Sequence, residues 1–282
     1  MRRLRRLLPR LPLHAVVLGI CVLWLIPTAG LLVSSFRPPR EVTQTGWWTA
    51  LSPPPSFTLE NYRQVLGAYH MSRSFLNSLF ITIPATVIPI MVAAYAAYAF
   101  AWMRFRGREV LFTTVVASLV IPLQMTLIPV LRLFTAWGLV GTFPAVWLAH
   151  TGYGLPLAIY LLRNFMGALP KDVMESAFID GASPLTVFFR LVFPLSVPAV
   201  ASLTIFQFLW VWNDLLVALI YVGGSPAVAP MTVTVSNLVS SLGQNWQLLT
   251  AAAFISMALP MAVFFMLQQY FVRGILAGAV KG

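Results

Sequence analysis

Acidic residues are scarce in this chain: seven Asp and Glu in 282 positions, against 18 Lys and Arg. All charged residues together make up 9% of the sequence, where a soluble domain carries about 25%. There is one cysteine, Cys21, which excludes an intrachain disulfide and a cysteine-rich metal site and reads as a small packing residue. Three histidines, His14, His70 and His150, are scattered without metal-ligand spacing, so no metal site is expected. His70 and His150 are expected at span ends, as interfacial polar groups. No phosphate loop of the Gly, four residues, Gly-Lys, Ser/Thr type occurs, so this chain is not expected to bind nucleotide itself. No Ser/His/Asp arrangement is readable, and no catalytic residue is assigned. Strict alternation of apolar and polar residues is also missing, which argues against a membrane barrel.

What is present is apolar. Hydrophobic residues reach 59%, with a mean hydropathy of +0.85. Runs of about 20 apolar residues predict membrane-spanning helices, since lipid satisfies no open backbone. The expected fold class is an all-α integral membrane protein with six spans, at about 13–36, 75–103, 110–131, 143–162, 192–222 and 248–272. The first run follows a basic segment, Met1–Arg10, but is too long for a signal-peptide core and reads as a retained helix. Prolines inside the spans, among them Pro84, Pro122, Pro156, Pro194 and Pro260, predict kinks.

Net charge is +11, and the basic residues cluster at the ends of the apolar runs, which suggests topology rather than nucleic acid. With residues 1–12 as a cytoplasmic tail, most of the 18 basic residues fall on the cytoplasmic side, including Arg104, Arg106, Arg108, Arg163, Lys171 and Arg190. Residues 273–282 then form a second cytoplasmic tail, and the loop 169–190 also faces the cytoplasm. The outer segment Arg37–Met71 carries Pro53–Pro55, which favours an extended chain, and Trp47–Trp48, which suit the membrane interface.

The segment Leu169–Pro198 is the most informative. Asp172 is expected to cap a helix while Glu175, three residues on, reaches back as an acidic capping box. Val173, Met174, Ala177 and Phe178 should share one apolar face, beside a polar edge of Lys171, Asp172, Glu175 and Asp180. Gly181 suits the left-handed position that ends a helix, and Ser183-Pro184 suits the start of the next. Capping alone explains these residues locally, but the spacing carries more. Glu175-Ser176-Ala177, then Gly181, then Leu191 and Phe193-Pro194 resembles the EAA loop of ABC-importer permeases, with Ser176, Leu191 and Phe193 as mild departures.

Resemblance extends over most of the chain. Trp212-Asn213-Asp214-Leu215-Leu216-Val217-Ala218-Leu219 is similar to a stretch of sugar-importer permeases, and Phe57-Thr58-Leu59-Glu60-Asn61-Tyr62 to the segment before their second span. The ending, Arg273 through Gly282, resembles the tail of maltose-type permeases, and Thr45-Gly46-Trp47-Trp48 the α-glucoside branch.

This resemblance implies the fold of a type I ABC importer permease in a bacterial or archaeal cytoplasmic membrane. It also implies a heterodimer with a second permease subunit, two ATPase subunits that use ATP and Mg, an extracytoplasmic sugar-binding protein, and a sugar as cargo. This chain would hold no cofactor and would not be an enzyme. Coupling to the ATPase would fall to Asp172, Glu175, Ser176, Ala177, Asp180, Gly181 and Pro194.

Asp214 reads as the one carboxylate deep inside a span, with Gln207, Trp210 and Asn213 near it on the same helix and Gln124 as a further polar candidate in the third span. These five are candidates for the translocation pathway. Asp214 either contacts cargo or pairs with another helix. An ion-coupled secondary transporter is the alternative class; it would need coupling residues within spans and internal repeats, and no repeat is visible.

Overall fold

A computed structural model describes residues 11–52, 56–238 and 245–279. The basic N-terminal segment, Pro53–Pro55 and the final Val280–Gly282 lie outside the described residues, as do the side chains of the last described turns, Arg273 among them. Among the described residues the chain is helical with no strand.

Among the described residues, five helices are long and apolar enough to cross a membrane. They are α1 (Leu11–Ser35), α4 (Met71–Trp102), α7 (Phe143–Gly167), the continuous run Pro184–Trp212, and α13 (Trp246–Ala279). The sixth predicted span is not one helix. Residues expected as 110–131 form α5 (Arg108–Ala117), a short 3-10 turn (Ser118–Val120) and α6 (Leu123–Ala136), bent by 105° at the break. Pro122 is the cause. It has no N–H to give, and it drives Ile121 into extended backbone at φ −76°, ψ 114°.

The fifth span also departs from the expected 192–222. It starts earlier, as α9 (Pro184–Val187), passes through a π-type turn (Phe188–Val192) into α10 (Phe193–Trp212), and stops there. Two short helices follow, α11 (Leu216–Tyr221) and α12 (Met231–Asn237). Asp214 causes this break: its carboxylate accepts from the backbone N–H of Val217 at 3.3 Å and Ala218 at 3.0 Å, and so starts a new helix.

The chain divides into two compact units, Met1–Met71 with Val235–Ser256, and Ser72–Thr234 with Met257–Gly282. In the first unit Pro53–Pro55, expected to favour an extended chain, lie outside the described residues, and the segment around them is helical. It folds into α2 (Pro39–Gln44), a 3-10 turn (Trp47–Leu51) and α3 (Glu60–Leu66). Buried Arg37 organises it by donating to Gly46 O at 3.1 Å and Thr49 Oγ1 at 3.1 Å, with Glu41 at 3.6 Å. The Phe57–Tyr62 stretch ties this segment to the end of α1. Thr58 N–H donates to Phe36 O, Asn61 Nδ2 donates to Ser35 O and Arg37 O, and Tyr62 Oη meets Ser35 Oγ at 2.8 Å. Trp47 lies against Gly30, where a β-carbon would come within 2.7 Å of the indole. Cys21, expected to be a packing residue, is exposed on α1.

The second unit has a core in two storeys. One apolar cluster joins the later half of α4 (Ile90–Tyr98) to the later half of α7 (Ala158–Met166) and the start of α10. The other joins Ile81 and Ala85 of α4 to Ala145–Ala149 of α7, Val211 and Tyr221. Thr86, His150, Thr151 and Gln207 form a polar layer between them on the same helices. This layer and the outer surface of the first storey hold the two candidate sites.

Candidate functional site

The first site is a surface helix, α8 (Lys171–Ile179). It lies across the ends of α4 and α7, with Met174 buried in the apolar cluster. Tyr98 Oη donates to Pro184 O at 3.0 Å, and Trp102 Nε1 donates to Met166 O at 2.9 Å, which fixes the two flanking ends. The expected capping box does not form. Pro170 occupies the cap with no side-chain bond, because its fixed φ of −58° already suits a helix entry. Asp172 therefore sits one residue inside the first turn, where its charge faces the positive end of the helix dipole. Ser176 Oγ donates back to Asp172 O at 2.6 Å, and Glu175 is exposed.

The exit of α8 matches expectation in detail. Gly181 has φ +76°. Its N–H donates to Phe178 O at 3.1 Å and that of Ala182 to Ala177 O at 3.0 Å, which is the Schellman pair. Ser183 Oγ then accepts from Thr186 N–H at 3.2 Å, with Pro184 at the first helical position. Pro194 lies in the first turn of α10, directly after the π-type turn. Lacking an N–H, it leaves the preceding turn wound one residue wider, and Phe193 N–H bonds to Phe188 O instead.

The single apolar face expected on α8 is divided. Met174 is 1% exposed, whereas Val173 and Phe178 are each 41% and Ile179 is 84% exposed. So α8 anchors through one side and presents apolar side chains on another, beside exposed Asp172, Glu175 and Asp180. No ion pair to those three carboxylates occurs among the described residues.

The second site is the polar layer. Three of the five pathway candidates converge there on His150. Gln207 Nε2 donates to Ala85 O at 3.1 Å and reaches His150 O at 3.5 Å. Trp210 meets the His150 ring edge-to-face at 5.3 Å. Asp214 Oδ2 lies 3.7 Å from His150 Nε2. Asp214 is thus not deep within a helix, as expected, but at the break after one. His150 is not at a span end; it is fully buried in the second turn of α7. The signal for it was available: an ionisable residue inside the predicted span 143–162.

The other two candidates stand apart. Asn213 Nδ2 folds back on Leu209 O at 2.7 Å, and exposed Gln124 lies in the first turn of α6. Sequence reasoning passed over Gly154, where a β-carbon would come within 2.7 Å of Gln207 Oε1, and Thr126 and Tyr153, whose hydroxyls meet at 3.2 Å. Nothing in spacing marks these residues; only the fold brings them together.

The profile of the family described as "Binding-protein-dependent transport system inner membrane component" matches residues 73–277. The chain is 60% identical to the osmoprotective compounds uptake permease protein GgtD of Synechocystis sp., over 96% of this chain and 92% of that protein. It is 42% identical to the alpha-glucoside transport system permease protein AglG of Rhizobium meliloti, over 95% and 96% of the two chains. The structure is similar to a chain of a solved bacterial ABC transporter involved in the import of the acidic polysaccharide alginate, with a TM-score of 0.78 at 22% identity, covering 92% of this chain and 95% of that one. This likeness shows a shared fold. By the family profile and by its identity to these permeases, the chain belongs to the binding-protein-dependent transport system inner membrane components.

Proposed function

We propose that this chain is one permease subunit of an ATP-driven importer for small neutral carbohydrates or glycosides, and that α8 is its coupling helix. The observation that carries the reading is the exposed half of α8: Val173, Phe178 and Ile179 are open beside three carboxylates that have no ion-pair partner among the described residues. Such a surface suits a groove with an apolar floor and a basic rim. The partner so described is an ATPase subunit, because this chain carries no phosphate loop of its own. A second permease subunit and an extracytoplasmic binding protein complete the assembly, which sits in the cytoplasmic membrane with α8 and both termini on the cytoplasmic side. The cargo class rests on the names of the relatives, one an uptake permease for osmoprotective compounds and one an alpha-glucoside permease.

In this mechanism, closure of the ATPase pair displaces α8. The Schellman exit and the Ser183 cap make α8 and α10 one continuous lever, so the displacement reaches the polar layer at Gln207. The test is Glu175→Lys in membranes that hold the whole complex. We expect uptake to fall with hydrolysis no longer coupled to it, consistent with about 2–5 kcal/mol for reversing one member of a partly buried charged pair. Unchanged uptake per ATP would sink the coupling role.

The His150–Asp214 pair favours the rival reading of an ion-coupled transporter. Uptake by the complex in ATP-free vesicles under an imposed proton gradient distinguishes the two; ATP-driven import predicts none.

A further inference from the structure

The broken third span shelters a cavity of about 310 Å³. Its wall is made by the elbow at Ser118–Leu123, by Thr126 of α6, by Gly152 and Tyr153 of α7, and by Trp210 of α10. A broken helix at membrane depth is tolerated where it lines a cavity, so the break and the cavity account for each other.

The geometry points to this cavity as a binding subsite for one ring of a neutral sugar on its way through the membrane. The inference rests on the import function proposed above and names where this subunit touches the cargo. Four features carry it. First, among the described residues no charged side chain lines the cavity. A carboxylated sugar placed there would lose its hydration without gaining a counter-charge, so the site selects against acidic saccharides. Second, Trp210 supplies an aromatic face next to the break, the kind of surface on which the apolar face of a sugar ring packs.

Third, the hydroxyls on the wall are left with accepting capacity. Tyr221 Oη donates to Leu127 O at 3.3 Å, so Tyr153 Oη donates to Tyr221 Oη at 2.8 Å and keeps an oxygen free to accept. The Thr126 proton is divided between Leu123 O at 2.6 Å and Tyr153 Oη at 3.2 Å. Sugar hydroxyls can donate to both oxygens. Fourth, the wall at Trp210 is backed by a polar side chain, since His150 meets the indole edge-to-face at 5.3 Å. The volume sits at the small end of the roughly 300–1,000 Å³ range of ligand pockets, which fits a ring or two and not a chain.

Gly152 gives the means of testing it. It lines the cavity, and a β-carbon added there meets no atom within 4 Å, so a larger residue has room to start without a backbone clash. The experiment measures uptake of radiolabelled trehalose by the complete transporter in proteoliposomes. We expect Gly152→Leu to reduce uptake about tenfold or more, equivalent to ~1.4 kcal/mol. Thr126→Val, which keeps the shape and removes a hydroxyl, should reduce it severalfold. Co-purification of all subunits reports folding separately. Excess unlabelled neutral α-glucosides should compete with trehalose, and digalacturonate should not. Wild-type uptake in both variants overturns the subsite and is the outcome expected if lipid fills the cavity. Competition by digalacturonate, or no trehalose uptake by the wild-type complex, overturns the ligand class. If Glu175→Lys leaves coupling intact while Gly152→Leu stops uptake, the coupling role fails and the subsite stands.

Discussion

At the scale of single residues, two side chains hold more than their neighbours. Gln207 crosses from α10 to Ala85 O on α4, and Gly154 on α7 leaves the space it crosses. Gly154→Ala puts a methyl 2.7 Å from Gln207 Oε1, so the amide must leave its partner. We expect a loss of about 1–3 kcal/mol, the usual cost of overpacking, read as a lower melting temperature of the purified complex. Gln207→Ala should remove most of that penalty when combined with it, because the clash then has no second party. Arg37 is the other case. Its guanidinium is 1% exposed and fastens the segment after α1 through Gly46 and Thr49. Neither residue's role was legible in the sequence. Arg37 reads there as one more basic residue outside a span, because burial of a charge depends on carbonyls eight and nine residues away turning toward it.

At the scale of elements, the turn between α8 and α9 was almost wholly legible. Gly181, Ser183 and Pro184 specify a left-handed exit, a cap and a first helical position by local chemistry alone, and the structure has all three. The entry to α8 was not. Asp172 and Glu175 satisfy the pattern of a capping box, yet Pro170 reaches the cap first, since its ring already fixes the required φ. Gly181→Ala should cost about 1–2 kcal/mol, the penalty of a β-carbon in left-handed backbone; Gly181→Asn should recover part of it. Limited proteolysis at the 179–184 turn measures both. The third span teaches the complementary point. Proline marked a kink there, but a kink in an otherwise continuous helix and a 105° break look alike in sequence. What separates them is whether neighbouring helices leave room for the chain to turn, and that is a property of packing.

At the scale of the whole molecule, apolar run lengths and the Glu175…Gly181…Pro194 spacing identified a membrane permease, and the family match bears that out. The two-storey core was not foreseeable, because it arises where three helices happen to place Thr86, His150 and Gln207 at one depth. Such an arrangement predicts uneven local stability. Backbone at the two interruptions, 118–122 and 213–215, should exchange hydrogen for deuterium far faster than the buried stretches 90–98 and 158–166, since opening free energy follows burial and hydrogen bonding. Exchange followed by mass spectrometry on the assembled complex tests this; uniform protection along α10 and α11 would show that the break at Asp214 does not exist in the membrane.

The uncharged lining of the cavity has an electrical consequence. A passenger with no charge, passing a chamber with no charge, carries no current. The membrane potential is worth about 2.3 kcal/mol per elementary charge at 100 mV, and none of that is available to such a passenger. Uptake should therefore proceed at the same rate whether the membrane is polarised or short-circuited by an ionophore, provided ATP is held constant. Under the coupling proposed above, all of the work of accumulation then arrives mechanically, through α8.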